Sequence, residues 1–329
     1  MEGCPPNRVL VIGAHGVLGA LTARAFEAAG WVVRRGARRP GPGQVGVDLG
    51  RPESVDAALH DNELVVNTVP HPDLLAERYV LEHGGSLINV SSLPAAAGRS
   101  LRAVAGAARG TVLMNAGLTP GVTTLVAAEL LRLYPEAHQL EIVFTLSVRT
   151  PRGPASVDFI GRGLTAVARH RTAVVPLPAP YGQRRCLGFG EGDAGWLGGI
   201  AEGRIVRQYI CLAERAVHER VLELNRAGNM NRLSRGLFGA SLHGSAGTAS
   251  TEPVAHWVAA LRGGRRLSAR TVECRGDFVH AARSAVVFAD SLLASQRPGG
   301  CFDPDEVWTV SDLEGKFRAA GIAIVPHTG

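Results

Sequence analysis

Three glycines spaced three residues apart carry the clearest chemical signal in the chain. They stand in the segment Gly13-Ala14-His15-Gly16-Val17-Leu18-Gly19, directly after a β-branched run. Glycine permits a tight turn and a close approach of backbone N–H groups to a phosphate, and a helix that begins there adds the positive end of its dipole. We therefore expect a pyrophosphate site with contacts from Gly13, His15, Gly16, Val17 and Leu18. A purely structural turn is the alternative, and His15 and Leu18 depart from the G-x-G-x-x-G pattern.

Arginines stand where dinucleotide-binding domains usually carry an acid. About 20 residues beyond the glycines, an Asp or Glu normally holds the ribose 2′-hydroxyl. This sequence has Ala37 there, followed by Arg38 and Arg39, with Arg35 upstream. Without an acid a 2′-phosphate is not repelled, and guanidinium groups bind it bidentately. The pattern predicts NADP(H) in preference to NAD(H); a solvated arginine run is the alternative, but it leaves the missing acid unexplained.

Polar residues also follow the third, fourth and fifth predicted strands. The carboxyl ends of parallel strands meet at one edge of a sheet, so these residues are expected to line the cofactor. Asp48 fits either the adenine side of the cofactor or a helix cap, and His71 fits either a proton relay or an ordinary polar loop. The predicted cofactor contacts in this group are Asp48, Leu49, Thr68, Val69, Pro70, Ser91 and Ser92.

Candidates for catalysis and substrate binding are more scattered. His71, Asn115, Tyr181 and His280 are the candidate catalytic residues. Gly117 is a further candidate for the cofactor, and Thr119, Pro120, Thr123, Arg152 and Arg283 are candidates for the substrate. Two of these residues also have a structural interpretation. Thr123 would cap the predicted helix at 122–133, and His280 would be a buried core residue. His280 and Arg283 are three residues apart and are expected to share a helix face.

The elements that position these residues alternate in the first third of the chain. Predicted strands at 8–12, 31–35, 44–47, 64–69, 86–90 and 111–115 are separated by predicted helices at 17–29, 53–60, 73–83 and 100–108. This order indicates an α/β fold with a doubly wound, parallel Rossmann sheet. Longer alternating segments after residue 122 predict a second α/β domain with a mixed or largely antiparallel sheet. We expect a dinucleotide-binding domain at 1–121, a substrate-binding and dimerisation domain at 122–300, and a C-terminal segment at 301–329 that returns to the first domain.

Composition excludes several classes of chemistry. The net charge of +6 comes almost wholly from arginine, because Lys316 is the only lysine, so a phosphate-loop lysine or Schiff-base lysine is not expected. Five cysteines without a CxxC pair and eleven dispersed histidines give no metal site. No signal peptide, membrane span or nucleic-acid motif is recognised, which predicts a cytoplasmic protein without membrane or nucleic-acid partners. Seven arginines and one acid between residues 149 and 185 favour a small anionic substrate, or else a basic face or dimer contact.

The glycine turn, together with Asn115-Ala116-Gly117-Leu118-Thr119-Pro120-Gly121-Val122-Thr123-Thr124, resembles the saccharopine dehydrogenase-like family. Further similarity lies in Gly153-Pro154-Ala155-Ser156, in the Gly263-Gly264 hairpin and in Cys301-Phe302-Asp303-Pro304-Asp305-Glu306. The resemblance spans essentially the whole chain. It implies a pyridine-nucleotide oxidoreductase, often one that reduces an imine formed from an amine and an oxo acid, and a homodimer formed through the second domain.

The sequence thus predicts an NADPH-dependent oxidoreductase. Hydride would pass to or from an imine or carbonyl of a small, carboxylate-bearing substrate, with the cofactor supplying the hydride chemistry. Two alternatives remain at this point. One is a non-redox enzyme that keeps its nucleotide bound, and the other is a nucleotide-binding regulatory protein without turnover.

Overall fold

The computed structural model describes residues 7–60, 62–91, 93, 95–166, 171–190, 200, 202–230, 250–295 and 297–327. Contacts divide the chain into two units, each discontinuous in sequence. The first unit comprises Met1–Val122 and Ala281–Trp308, and the second comprises Thr123–His280 and Thr309–Gly329. The chain therefore leaves the first unit near residue 122 and enters it again from residue 281.

The first unit is built on a parallel sheet of seven strands. Its strands are β1 (Arg8–Ile12), β2 (Val32–Ala37), β3 (Val45–Gly46), β4 (Leu64–Asn67), β5 (Ser86–Asn89), β6 (Thr111–Leu113) and β13 (Gly300–Phe302). They lie in the order β3-β2-β1-β4-β5-β6-β13, and every neighbouring pair is parallel. The first six strands have the order of a Rossmann sheet, which confirms the predicted doubly wound fold.

Helices connect these strands. They are α1 (Val17–Ala28), α2 (Pro52–Leu59), α3 (Leu75–His83) and α4 (Ala95–Val104), the last continued by a short 3-10 turn. Strands β1 and β4 are almost wholly buried, because runs such as RVLVI present apolar side chains to both faces of the sheet. One core cluster of this unit includes Leu10, Val65, Leu87 and Val112.

The second unit contains a mixed sheet, as predicted. Its strands are β7 (Gln139–Leu146), β8 (Thr172–Pro176), β9 (Gln183–Gly188), β10 (Ile205–Leu212), β11 (Pro253–Arg262), β12 (Arg265–Arg275) and β14 (Ala323–Pro326). They lie in the order β14-β12-β11-β7-β10-β9-β8. Only β7 and β10 are parallel; the other neighbours are antiparallel. The predicted hairpin is present between β11 and β12, where Gly263 and Gly264 both have positive φ.

The remaining helices of the described residues are α5 (Val122–Leu133), α6 (Pro154–Thr165), α7 (Arg215–Arg226), α8 (Asp277–Ala294), α9 (Pro304–Val307) and α10 (Val310–Ala319). The C-terminal strands belong to different units. Strand β13 pairs with β6 in the first sheet, whereas β14 pairs with β12 in the second. Among the described residues, no helix combines the length and hydropathy that crossing a bilayer requires.

Candidate functional site

The glycine turn between β1 and α1 is too tightly packed for larger residues. Gly13 has a φ of +85°, and a Cβ added there would lie 2.4 Å from Cγ2 of Val69. A Cβ added to Gly19 would lie 2.0 Å from the carbonyl oxygen of Gly13. Gly13 is therefore required by backbone conformation and Gly19 by close packing of the helix against the turn. Gly16 is exposed and begins the helix with an extended backbone.

Hydrogen bonds hold this turn against the end of β2. The amides of Gly13 and Ala14 donate to the carbonyl of Gly36 at 2.9 and 3.0 Å, and Gly16 N–H donates to the carbonyl of Gly13. The helical bond from Ala20 to Gly16 leaves the N–H groups before it without helical acceptors. Helix α1 has no acid in its first turn and no side-chain cap. The start of α1 is thus free to bind an anion.

The end of β2 has the features predicted for recognition of a 2′-phosphate. Ala37 is buried, and Arg38 and Arg39 follow as exposed residues that form no ion pair within the described parts of the chain. Arg35 differs, because its guanidinium lies 2.7 Å from a carboxylate oxygen of Glu27 on α1. Arg38 and Arg39 are therefore the better candidates for a phosphate ligand.

Three predicted contacts beside the turn have partners within the protein. His15 is exposed, and its Nε2 lies 2.7 Å from Oε1 of Gln44. Asp48 accepts from the amide of Gly50 at 3.1 Å, so it acts at least as a turn cap. The Leu49 side chain packs in the core cluster of the first unit, which leaves only its backbone for a nucleotide. Val17 and Leu18 are half-buried at the start of α1.

His71 lies close to this region and keeps partial access to solvent. A Cβ added to Gly50 would lie 3.6 Å from Nε2 of His71 and 3.5 Å from Oδ1 of Asp48. On its other side, Nδ1 of His71 accepts the N–H of Asp73 at 3.4 Å and lies 3.7 Å from Oδ2 of the same residue. A histidine that keeps access to solvent at the end of a strand can hold or release a proton. Pro70 precedes it as an exposed residue.

A buried polar cluster that the sequence did not reveal lies below the ends of β4 and β5. Glu77 of α3 is 1% exposed, and its Oε1 accepts from Nδ2 of Asn67 at 2.8 Å and from Nδ2 of Asn89 at 2.6 Å. Each asparagine also accepts a backbone N–H two residues on, from Val69 and Ser91 respectively. Burial raises the pKa of Glu77. The cluster fixes the backbone that leaves both strands.

The predicted side-chain contacts from Thr68 and Ser91 are directed inward. The Thr68 hydroxyl donates to the carbonyl of Ile12 at 2.7 Å, and the Ser91 hydroxyl donates to Oδ1 of Asn89 at 2.7 Å. Val69 packs against Gly13. Ser92 lies outside the described residues. Thr68 and Ser91 thus shape the turn and the strand end, and their hydroxyl protons are already donated within the protein.

The segment after β6 folds back on itself. Gly117 N–H donates to the carbonyl of Pro120, and Val122 N–H donates to the carbonyl of Gly117. The Thr119–Pro120 peptide is cis, and a Cβ added to Gly121 would lie 2.0 Å from the Gly117 carbonyl oxygen. The Thr119 hydroxyl is buried and has no hydrogen-bond partner among the described residues. The same holds for the hydroxyl of Thr123 in helix α5 of the second unit.

Asn115 belongs to a network at the end of β6 and β13. It has a φ of +54° and donates through Nδ2 to Oδ1 of Asp303 at 2.8 Å. Arg102 forms ion pairs with Asp303 and Glu306. Burial, with a contribution from Asp303, raises the pKa of Asp305 to about 7. The amide of Asn115 is therefore engaged, and its best-supported role is to hold this strand end in place.

The second unit buries its predicted arginine. Arg152 is 2% exposed, forms an ion pair of 2.5 Å with Asp277 and lies over the ring of Phe278. His256 is close to this pair and accepts the N–H of Thr145 through Nδ1. Burial lowers the pKa of His256 to about 4, so it is neutral near pH 7. Arg152 is thus part of a buried structural cluster.

Tyr181, His280 and Arg283 differ in burial and in their partners, and the last two lie one turn apart on α8. Tyr181 belongs to the core cluster of the second unit, its hydroxyl donates to the carbonyl of Pro253 at 2.6 Å, and burial raises its pKa to about 12. A proton donor role for Tyr181 is therefore not supported. His280 is 4% exposed with Nδ1 3.0 Å from the carbonyl of Gly276, whereas Arg283 is exposed. Among the described residues, no group of three or more potential ligands could hold a metal ion.

No family model and no curated protein matches the chain. Among solved structures, it is similar to the WlbA dehydrogenase of Thermus thermophilus in complex with NAD and UDP-GlcNAcA, at 13% identity over 95% of this chain and 93% of that one, with a TM-score of 0.40. It is also similar to GenD2 from gentamicin A biosynthesis in complex with NAD, at 13% identity over 100% of this chain and 98% of that one, with a TM-score of 0.44. An oxidoreductase from Sinorhizobium meliloti is similar at 10% identity over 96% of each chain, with a TM-score of 0.38. At this similarity neither cofactor nor reaction is transferred to this chain, and the resemblance to saccharopine dehydrogenases is not confirmed.

Proposed function

We propose that the chain is an NADP(H)-dependent oxidoreductase. The observation that carries the proposal is the glycine turn at the carboxyl end of β1, an inner strand of a sheet with Rossmann order. In such sheets the nucleotide binds at the carboxyl edge, beside the strand where the order reverses. Here that strand is β1, which lies between β2 and β4.

The residues present fit a dinucleotide. The turn places the uncapped start of α1 at the edge of the sheet, where the first N–H groups of the helix would hold the pyrophosphate. The Asn67, Glu77 and Asn89 cluster keeps the neighbouring strand ends rigid. A preformed backbone cradle lowers the ordering cost of binding.

Arg38 and Arg39 support NADP(H), with NAD(H) as the weaker ligand. Both are exposed, neither has an ion-pair partner among the described residues, and the position before them is an alanine rather than an acid. Guanidinium groups bind a phosphate through paired hydrogen bonds. The acid that would repel a 2′-phosphate is missing.

Hydride transfer is the chemistry that a bound nicotinamide supplies. For the substrate, we propose a small molecule that bears a carboxylate and an imine or carbonyl, as the resemblance to the saccharopine dehydrogenase-like family implies. His71 is the best-placed candidate to hold or release a proton, because it follows the end of β4 and its ring keeps solvent access. The unpartnered Thr119 hydroxyl is a candidate donor to substrate.

Calorimetric titration with NADPH and NADH tests the cofactor. Replacing Arg38 and Arg39 with Ala is expected to weaken NADPH by roughly 1 to 3 kcal/mol while NADH changes little. Arg318→Ala, which removes an exposed arginine of the second unit, is the matched control. Equal losses for both nucleotides would contradict the 2′-phosphate role.

Turnover is tested by product analysis with imines formed from amino acids and oxo acids. Net oxidation of NADPH supports the oxidoreductase. Product formation without net consumption of NADPH would identify a non-redox enzyme that retains its nucleotide, and nucleotide binding without any product would favour a regulatory protein. Sedimentation of the same samples tests the expected homodimer.

A further inference from the structure

A cavity of about 330 Å³ lies wholly in the second unit. Its wall comes from strand β8, strand β9 and helix α7. The lining residues are Thr172, Arg185, Glu219, Leu222, Asn225 and Arg226. Ligand pockets span roughly 300 to 1,000 Å³, so this volume suits a small molecule.

The three charged residues that line this cavity are exposed to solvent. Within the part of the chain that the structure describes, Arg185, Arg226 and Glu219 form no ion pair. Arg185 donates from Nη1 to the hydroxyl of Thr172, another lining residue, at 3.5 Å. Two cations and one anion therefore line the same small space.

Two further lining residues are neutral and buried. Asn225 is 8% exposed, and its Nδ2 has no hydrogen-bond partner among the described residues. Leu222 is 3% exposed and gives the cavity an apolar wall. A buried amide donor without an acceptor costs free energy unless a ligand or water satisfies it.

The cavity is also held in shape. His218 of α7 donates from Nε2 to the carbonyl of Arg185 at 2.7 Å, and its Nδ1 accepts the N–H of Leu212 at 3.2 Å. The ring therefore joins the helix to strands β9 and β10. Burial lowers the pKa of His218, which keeps the ring neutral in this role.

We propose that this cavity binds a free aliphatic α-amino acid. The carboxylate suits Arg185 and Arg226, the ammonium suits Glu219, and the side chain packs on Leu222. A dicarboxylate is disfavoured by Glu219 and a simple amine by the two guanidinium groups, so only a ligand with both charges satisfies the whole set. The proposal goes beyond the reaction proposed above and does not depend on it.

Calorimetry of the intact protein with L-leucine, L-isoleucine, L-valine and L-methionine tests the site. At least one is expected to bind. Two leucine analogues serve as controls: 4-methylpentanoate lacks the ammonium, and 3-methylbutylamine lacks the carboxylate. Each should bind at least about tenfold more weakly than leucine. Absence of binding by all four amino acids would overturn the proposal.

Substitutions separate the two charges. Arg185→Gln with Arg226→Gln should weaken both the amino acid and 4-methylpentanoate, whereas Glu219→Gln should weaken only the amino acid. Arg220→Gln is the control, since it removes a charge from the same helix at an exposed residue that pairs with Glu223. A melting curve for each variant verifies folding. Amino-acid binding that survives both the arginine and the Glu219 changes would also overturn the proposal.

Discussion

The two sheets use polar residues in different ways. In the first sheet every strand is parallel, so the residues after β1, β4 and β5 collect at one edge, where Gly13, Asn67 and Asn89 lie. In the second unit two of the polar residues expected to act on a substrate are buried and engaged by the protein itself. Arg152 pairs with Asp277, and Tyr181 donates to a backbone carbonyl.

This difference shows when position along the chain predicts position in a site. A parallel sheet brings the carboxyl ends of all its strands to one edge, so a residue that follows a strand has a known location. A mixed sheet reverses direction between neighbours, and the same sequence position falls at either edge. Substitutions in the first sheet should therefore alter ligand binding, and those in the second unit's cluster should alter stability.

Loss of the buried ion pair is expected to have the largest effect. Arg152→Met leaves the carboxylate of Asp277 buried without its partner, which costs about 3 to 5 kcal/mol of unfolding free energy. Urea unfolding measures this loss. The affinity for NADPH, measured on the folded fraction, should not change.

The double variant Arg152→Met with Asp277→Asn provides the control. Asparagine removes the uncompensated charge and keeps an oxygen for the Phe278 N–H, so most of the lost stability should return. If the single variant were fully stable but failed to turn over substrate, Arg152 would be a substrate ligand, and the contrast between the two units would fail.

The glycine turn should respond in both stability and binding. Gly19→Ala places a Cβ 2.0 Å from the Gly13 carbonyl oxygen, and the helix must move away from the turn. We expect a loss of about 1 to 3 kcal/mol in stability and loss of measurable NADPH binding. Gly106→Ala is the matched control, because a Cβ there meets nothing within 4 Å. Retained affinity in Gly19→Ala would show that the turn is only structural.

Most of the first sheet is predictable from sequence because its strands are short, β-branched and punctuated by turns. The predicted strand at 8–12 and the helix at 122–133 match β1 and α5. Strand β13 was missed, because three residues are too few to show the alternating pattern of a strand. Its position is specified by pairing with β6, far away in sequence. Strand β9 was missed for a related reason: the QRRCLG segment begins with charged residues, and its pairing with β8 defines it.

The candidate site was only partly predictable. The glycines and the arginines after Ala37 are local signals and could be read directly. Glu77 could not, because an acid in the first turn of a helix normally faces solvent, and only the packing of α3 against the sheet directs it to Asn67 and Asn89. Two asparagines at the last position of successive strands were the available clue.

The two units should also differ in how their stability depends on pH. Burial raises the pKa of Glu77, so the folded chain retains a proton that the unfolded chain loses, and acidification from about pH 7 to about pH 5 favours folding of the first unit. His256, with its pKa lowered to about 4, has the opposite effect, since the unfolded chain gains a proton that the folded chain excludes.

Two variants separate these contributions. Glu77→Gln should remove the gain in stability on acidification, and His256→Gln should remove the loss, each measured as the change in urea midpoint between about pH 7 and about pH 5. Glu77→Gln keeps an oxygen for both asparagine amides, so its effect at low pH should be small. Shifts of the same sign in both variants would contradict the assigned pKa directions.

The smallest effect is expected at Tyr181. Tyr181→Phe removes the hydroxyl that donates to the Pro253 carbonyl and leaves that oxygen without this donor, which costs about 1 kcal/mol. The ring stays in the core, so the fold is retained. Turnover and its pH profile should be unchanged, because a hydroxyl whose pKa is raised to about 12 by burial, and whose proton is held by a backbone carbonyl, is not available to a substrate. A large loss of kcat with unchanged stability would place Tyr181 in the catalytic site, and the second unit would then use its polar residues as the first does.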